Sequence, residues 1–235
     1  MAEFVATAIA AGLTLLVFVV ARKLYARLGY VILNPVLVSI VVIIVALVVL
    51  DIDYATYDRG GRLIQFFLEP AVVALGVPLF RQLERIARQK KSFLVSVVVG
   101  AAVGIGSASV TAALLGAPLD VVFSLAPRSV TTPIAIGISE KIGGIPSLSA
   151  AIVIATGVLG AVFGPITLRL LKLRSRTAFG FAIGAAAHGI GTARAVEEGE
   201  VEGASSALAI GLMGIATAIL TPPLVALVAW IWGGG

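Results

Sequence analysis

Long apolar runs follow one another along almost the whole chain of 235 residues, and about 20 apolar residues are what one helix needs to cross the hydrocarbon of a bilayer. Six runs are long enough to cross alone: residues 4–21, 31–50, 63–80, 93–115, 145–171 and 205–232. Composition agrees with this reading. Sixty per cent of the chain is apolar and 12% charged, and the mean hydropathy is +1.12, against about 45–50% and about 25% in soluble domains. The fold class expected is an all-α polytopic membrane protein.

Between the runs lie two segments that are apolar at both ends and interrupted in the middle. Residues 119–142 are broken by Pro127-Arg128-Ser129-Val130-Thr131-Thr132-Pro133, and residues 177–196 by His188-Gly189-Ile190-Gly191-Thr192. Irregular backbone at membrane depth persists only where protein buries it or where it lines a wet cavity. Such interrupted pairs are the sequence mark of a transporter's binding site. A shift of 60 residues superposes the two breaks and, over residues 100–143, pairs eight identical residues, among them Gly100 with Gly160, Gly104 with Gly164, Thr132 with Thr192 and Ala135 with Ala195. One span plus one hairpin makes an odd number of crossings, so the copy is inverted. The organisation expected is residues 1–92 as N-terminal scaffold helices and residues 93–235 as a transport-type core. That core holds repeats at about 93–152 and 153–212 and a final helix.

The net charge is +5, but the cations cluster in short loops, which makes them a topology signal and not a nucleic-acid surface. Arg22, Lys23 and Arg27, then Arg81, Arg85, Arg88, Lys90 and Lys91, then Arg169, Lys172, Arg174 and Arg176 place three loops in the cytoplasm. The N-terminus and the loop bearing Asp51, Asp53 and Asp58 are then outside. The segment 119–142 must begin and end outside as well, as a re-entrant hairpin. Residues 4–21 lack a cationic start and carry Glu3 there, so they form a first helix and not a cleaved leader.

With no cysteine and one histidine, no disulfide, thiol nucleophile or histidine-rich metal centre is available, and neither a metal nor a cofactor is expected. No carboxylate pair or catalytic triad appears, so an enzyme is not expected. The chemistry left is anion binding. Thr132 and Pro133 read as the N-cap and first residue of a half-helix whose free N–H groups and dipole favour an anion. Ser129, Thr131 and Thr132 add hydroxyl donors, and Arg128 adds a planar fork that fits a carboxylate. Alternatively, Arg128 pairs with a structural carboxylate such as Glu69 or reaches for the interface. His188, with Gly189, Gly191 and Thr192 beside it, is either a proton carrier or a packing residue. Arg194 is either a second substrate cation or the partner of Glu197, Glu198 or Glu200. Asn34-Pro35 and Glu69-Pro70 read as kinks, and Glu69 is the other coupling candidate.

The stretches Ser129-Val-Thr-Thr-Pro-Ile-Ala-Ile-Gly-Ile-Ser-Glu-Lys-Ile-Gly-Gly-Ile-Pro and Ala187-His-Gly-Ile-Gly-Thr-Ala-Arg-Ala closely resemble the LrgB/CidB family. The resemblance implies a multi-pass protein of a bacterial-type inner membrane, either a holin/antiholin-like regulator of murein hydrolase activity or a relative of the chloroplast glycolate/glycerate transporter. Bacterial members are linked to pyruvate uptake. It also implies a small LrgA/CidA-like membrane partner. The expectation is a secondary transporter of small monocarboxylates, embedded in the lipid bilayer as a homo-oligomer, a dimer being favoured, with its anion site where the two breaks meet.

Overall fold

The computed structural model describes residues 2–28, 30, 33–67, 70, 73–74, 76–81 and 83–232. Among them all regular structure is helical. The chain divides into two compact units, Met1–Ala74 and Leu75–Gly235.

The first unit contains α1 (Ala2–Leu28), α2 (Pro35–Val49) and α3 (Tyr54–Phe66). Asn34 and Pro35 do not kink a span. They start one: the Asn34 side chain accepts from Val36 N at 3.0 Å and Leu37 N at 3.3 Å, and Pro35 occupies the first helical position, where its missing N–H costs nothing. The run expected over residues 31–50 therefore yields a helix of 15 residues, about 22 Å long at 1.5 Å per residue, shorter than the roughly 30 Å of hydrocarbon. The α3 helix meets α1 closely. A Cβ at Gly60 would stand 2.5 Å from Ala10 Cβ and 2.8 Å from Thr7 O, and Tyr57 Oη lies 3.0 Å from Thr14 Oγ1.

The second unit runs α4 (Gly76–Arg81), α5 (Leu83–Arg88), α6 (Lys90–Leu114), α7 (Leu119–Leu125), α8 (Thr132–Ile142), α9 (Pro146–Leu170), α10 (Arg176–Glu198) and α11 (Glu200–Trp232). Among the described residues, four helices are long and apolar enough to cross a membrane: α1 over Thr7–Leu28, α6, α9 and α11. The run at 63–80 is divided between the end of α3 and α4, and Glu69 lies outside the described residues. Six crossings are thus not all present as long described helices.

Both interrupted segments fold back on themselves. In the first, α7 and α8 are joined by irregular chain, and Ser124 at one foot accepts from Ile145 N at 2.7 Å just past the other. Ser149 Oγ of α9 lies 2.9 Å from both the Ser124 carbonyl and Ser139 Oγ, and all three serines are fully buried. In the second, His188 takes φ 41° and ψ −131°, outside helical space. A Cβ at Gly191 would fall 2.9 Å from Ile183 O, whereas residues eight apart in a continuous helix are separated by about 12 Å. The chain reverses at His188, so that Phe179, Ile183 and Ala195 share one cluster with Leu168.

The core of this unit is an interleaving of α6 with α11. Phe93, Val97, Ala101 and Ile105 recur every fourth residue and pack with Ala209, Met213 and Val225, and with Ala126 and Phe181 from the two hairpins. For the first unit, Gly60→Leu should overpack the α1–α3 contact and cost about 1–3 kcal/mol. Gly12→Leu, at a site with nothing within 4 Å, should leave the melting temperature of the detergent-purified chain unchanged.

Candidate functional site

The two reversals converge on one turn of α9. Val130 and Ala135, which flank the start of α8, are buried against Val153. His188 Nε2 lies 3.0 Å from the Val153 carbonyl oxygen, and because that oxygen only accepts, Nε2 carries the proton and donates. Gly157, one turn along α9, makes room for the ring: a Cβ there would stand 2.7 Å from His188 Cε1. His188 is 5% exposed. Its positive φ costs of order 1–3 kcal/mol for a residue with a side chain, and such strain persists where surrounding structure over-determines it.

At the first break, the N-cap of α8 is Thr131, one residue before the position expected. Thr131 is extended at φ −68° and ψ 151°, its side chain makes no capping bond, and its carbonyl accepts from Ala135 N at 2.9 Å. Thr132 and Pro133 thus form the first turn. The hydroxyls of Ser129, Thr131 and Thr132 are half-buried and make no hydrogen bond among the described residues. Pro133 is exposed. Arg128, also half-buried, donates from Nη1 to Gly104 O of α6 at 2.8 Å. It has no carboxylate partner among the described residues, and its remaining guanidinium N–H groups are left for another acceptor.

The second break divides its residues differently. Gly189 is exposed, with open space where a Cβ would be, and Gly191 is buried against Ala187. Thr192 is committed internally: its Oγ1 donates to His188 O at 2.9 Å and lies 2.7 Å from Ser206 Oγ of α11, which then donates to it. Arg194 belongs to the foot of the hairpin. It bonds Glu197 at 3.2 Å and Glu198 at 2.5 Å, and both carboxylate oxygens of Glu198 also accept from Nη2 of Arg169 on α9, at 2.6 and 2.7 Å. At the other foot Arg176 grips Glu202 at 2.7 and 2.9 Å, and this partner raises the Arg176 guanidinium above its ordinary pKa. The arrangement brings Val130 and His188 to one turn of α9, points Arg128 at α6, and leaves Arg194 in an ion-pair cluster.

Several participants carried no sequence signal. The Val153 and Gly104 carbonyls act through backbone, which any residue supplies. Ser206 and the Ser124–Ser139–Ser149 cluster lie far apart in the chain. Ser109 and Thr217, on the interleaved faces of α6 and α11, are buried with hydroxyls that have no hydrogen-bond partner; a period-four polar position in an apolar helix was the only clue.

Four long apolar helices and two helical reversals among the described residues mark a helical membrane protein with discontinuous segments. The model of the LrgB-like family matches residues 14–227. The chain is 37% identical over 210 residues to YwbG, a protein of Bacillus subtilis (strain 168) described as uncharacterized, covering 89% of this chain and 93% of that one. It is 35% identical to YxaC of the same organism over 94% of both. It is 34% identical to the antiholin-like protein LrgB of Bacillus cereus (strain B4264), over 83% of this chain and 84% of that one. No solved structure matches the chain at a significant level. The chain belongs to the LrgB-like family and is a membrane protein of the holin/antiholin-like group.

The two threonines should separate. Thr192→Val strands buried groups on His188 and Ser206 and should lower stability by about 1–3 kcal/mol, whereas Thr132→Val should leave it within about 0.5 kcal/mol. Thermal unfolding of the two purified variants checks this.

Proposed function

We propose that this chain is a secondary transporter of small monocarboxylates of the glycolate, glycerate or pyruvate type, its anion site lying at the tip of the first hairpin and facing the second. The observation that carries the reading is the state of the first break. Three hydroxyls without partners among the described residues, a helix start without a side-chain cap and an arginine with spare donors stand together, half-buried, at the tip of the first hairpin. Accessible donors of this kind are free to bond an anionic substrate. Ser129, Thr131, Thr132 and the first-turn amides beside Pro133 bind the carboxylate, and Arg128 supplies the charge. His188, with Gly189 and Gly191, forms the opposing wall and is the coupling candidate, Glu69 being the other; Thr192 shapes that wall through His188, and Arg194 secures the hairpin's foot.

The two hairpins enter the bilayer from opposite faces as inverted repeats within residues 93–235, with residues 1–92 as scaffold. The loops at Arg85 and Arg174 are cytoplasmic, the N-terminus is outside and the membrane is the bacterial inner membrane. A homodimer, alone or with an LrgA-like partner, is the working assembly. Labelling of Arg174→Cys from outside intact cells by an impermeant thiol reagent would overturn this orientation.

A second reading is favoured by the names of the relatives, several of which are called antiholin-like. In it the chain regulates murein hydrolase activity and lysis through assembly, and the hairpins serve packing. Uptake of labelled glycolate, glycerate and pyruvate into proteoliposomes separates the two. Charge-assisted hydrogen bonds contribute about 1.5–3 kcal/mol, so Arg128→Ala should weaken carboxylate affinity roughly ten- to a hundredfold, and Arg128→Lys should rescue poorly because it lacks the planar fork. Unchanged affinity in Arg128→Ala would place the substrate elsewhere. Uptake by His188→Gln should lose the wild-type dependence on a proton gradient, and a retained dependence would reduce His188 to a packing residue.

A further inference from the structure

A groove of about 500 Å³ lies between the first turns of α6 and the first half of α11, and no hairpin-tip residue lines it. Its walls are Phe93, Leu94 and Val97 on one side and Leu208 and Leu212 on the other, with Ala87, Lys90 and Lys91 at one end. Phe93 and Val97, like Leu208 and Leu212, are four residues apart, so these walls run along the helices for about 6 Å. Phe93 is fixed from behind by the Phe181 ring, with centroids 5.1 Å apart, so the slot has a firm wall.

The charged end contrasts with these walls. Lys90 and Lys91 are exposed and, among the described residues, neither has a carboxylate partner. They begin α6, whose N-cap Gln89 makes no side-chain bond, so the positive end of the helix dipole lies at the same place. A soluble anion would use the cations but not the apolar slot, and a neutral chain would use the slot but not the cations. A ligand that satisfies both has a phosphate or similar anion joined to a hydrocarbon tail, and basic pockets beside membrane helices take such headgroups.

We infer that this groove is a binding site for an anionic diacyl phospholipid of the phosphatidylglycerol type, one acyl chain lying between Phe93–Val97 and Leu208–Leu212 and the phosphodiester held by Lys90 and Lys91. The site is independent of the transport reading, since none of its residues belongs to the candidate anion site.

Lipid binding to the full chain, purified in a neutral detergent, is measured by native mass spectrometry and by thermal shift, with phosphatidylglycerol and phosphatidylcholine of matched acyl chains as probes. The wild type should prefer phosphatidylglycerol by about ten- to thirtyfold, the scale expected for two lysines near one phosphate, and salt should reduce the preference. The Lys90→Gln/Lys91→Gln double variant, confined to exposed positions, should bind the two lipids equally. A Lys172→Gln/Arg174→Gln control at another cationic loop should keep the preference. Leu208→Trp, which fills the slot, should weaken both lipids. Equal binding by the wild type, or an undiminished preference in the Lys90/Lys91 double variant, overturns the site. Loss of the preference in the control variant also overturns it, because general surface charge then suffices. A wild type that binds neither lipid but forms a dimer lost in Leu208→Trp would assign the groove to a second copy instead.

Discussion

Inside a bilayer a backbone N–H or C=O has no water to bond, so each interruption of a helix must be answered by protein or by something the protein binds. The second unit is organised around that demand. The His188 carbonyl, released where the chain reverses, receives the Thr192 hydroxyl, while the His188 ring anchors the reversal to the Val153 carbonyl. The foot of the first hairpin is answered by serines, Ser124 meeting Ile145 N and Ser149 meeting the Ser124 carbonyl. The start of α8 is left without such an answer, Thr131 making no capping bond, and among the described residues the buried hydroxyls of Ser109 and Thr217 have no partner either.

Close helix contact makes these short bonds possible. Gly160 and Gly164 of α9 bring Ala187 and Ile183 so near that a Cβ would overlap them, and Gly180 and Gly184 do the same for α10 against Glu202 and Ser206 of α11. Without a hydrophobic drive between helices in lipid, small residues of this kind let dispersion and hydrogen bonds hold segments together. Thr192 and Ser206 reach 2.7 Å because the backbones carrying them have been drawn in.

Legibility from sequence followed the chemistry of each residue. The breaks at Pro127–Pro133 and His188–Thr192 were readable because proline and paired glycines interrupt apolar runs by local rules. Asn34-Pro35 obeys an equally local rule, but capping and kinking share the same dipeptide, and only the short length of α2 separates them. Arg194 left two readings open, and its partners are Glu197 and Glu198 at helical spacing, while Arg169 joins Glu198 from another helix, a contact that no spacing encodes. Thr192 looked like a counterpart of Thr132 by register. Their surroundings differ, one being buried against Ser206 and the other half-buried at an open helix start.

Each hairpin is secured by the helix that follows it: the first by Ser149 of α9, the second by Glu202 and Ser206 of α11. A ribosome delivers the hairpin before its fastener. During synthesis residues 119–142 must wait, incompletely bonded, until α9 emerges, and residues 176–198 until α11 does. Seating of the second hairpin is therefore complete only after α11 has inserted, and a chain truncated before α11 would hold that hairpin by α9 alone, without the Glu202 and Ser206 contacts.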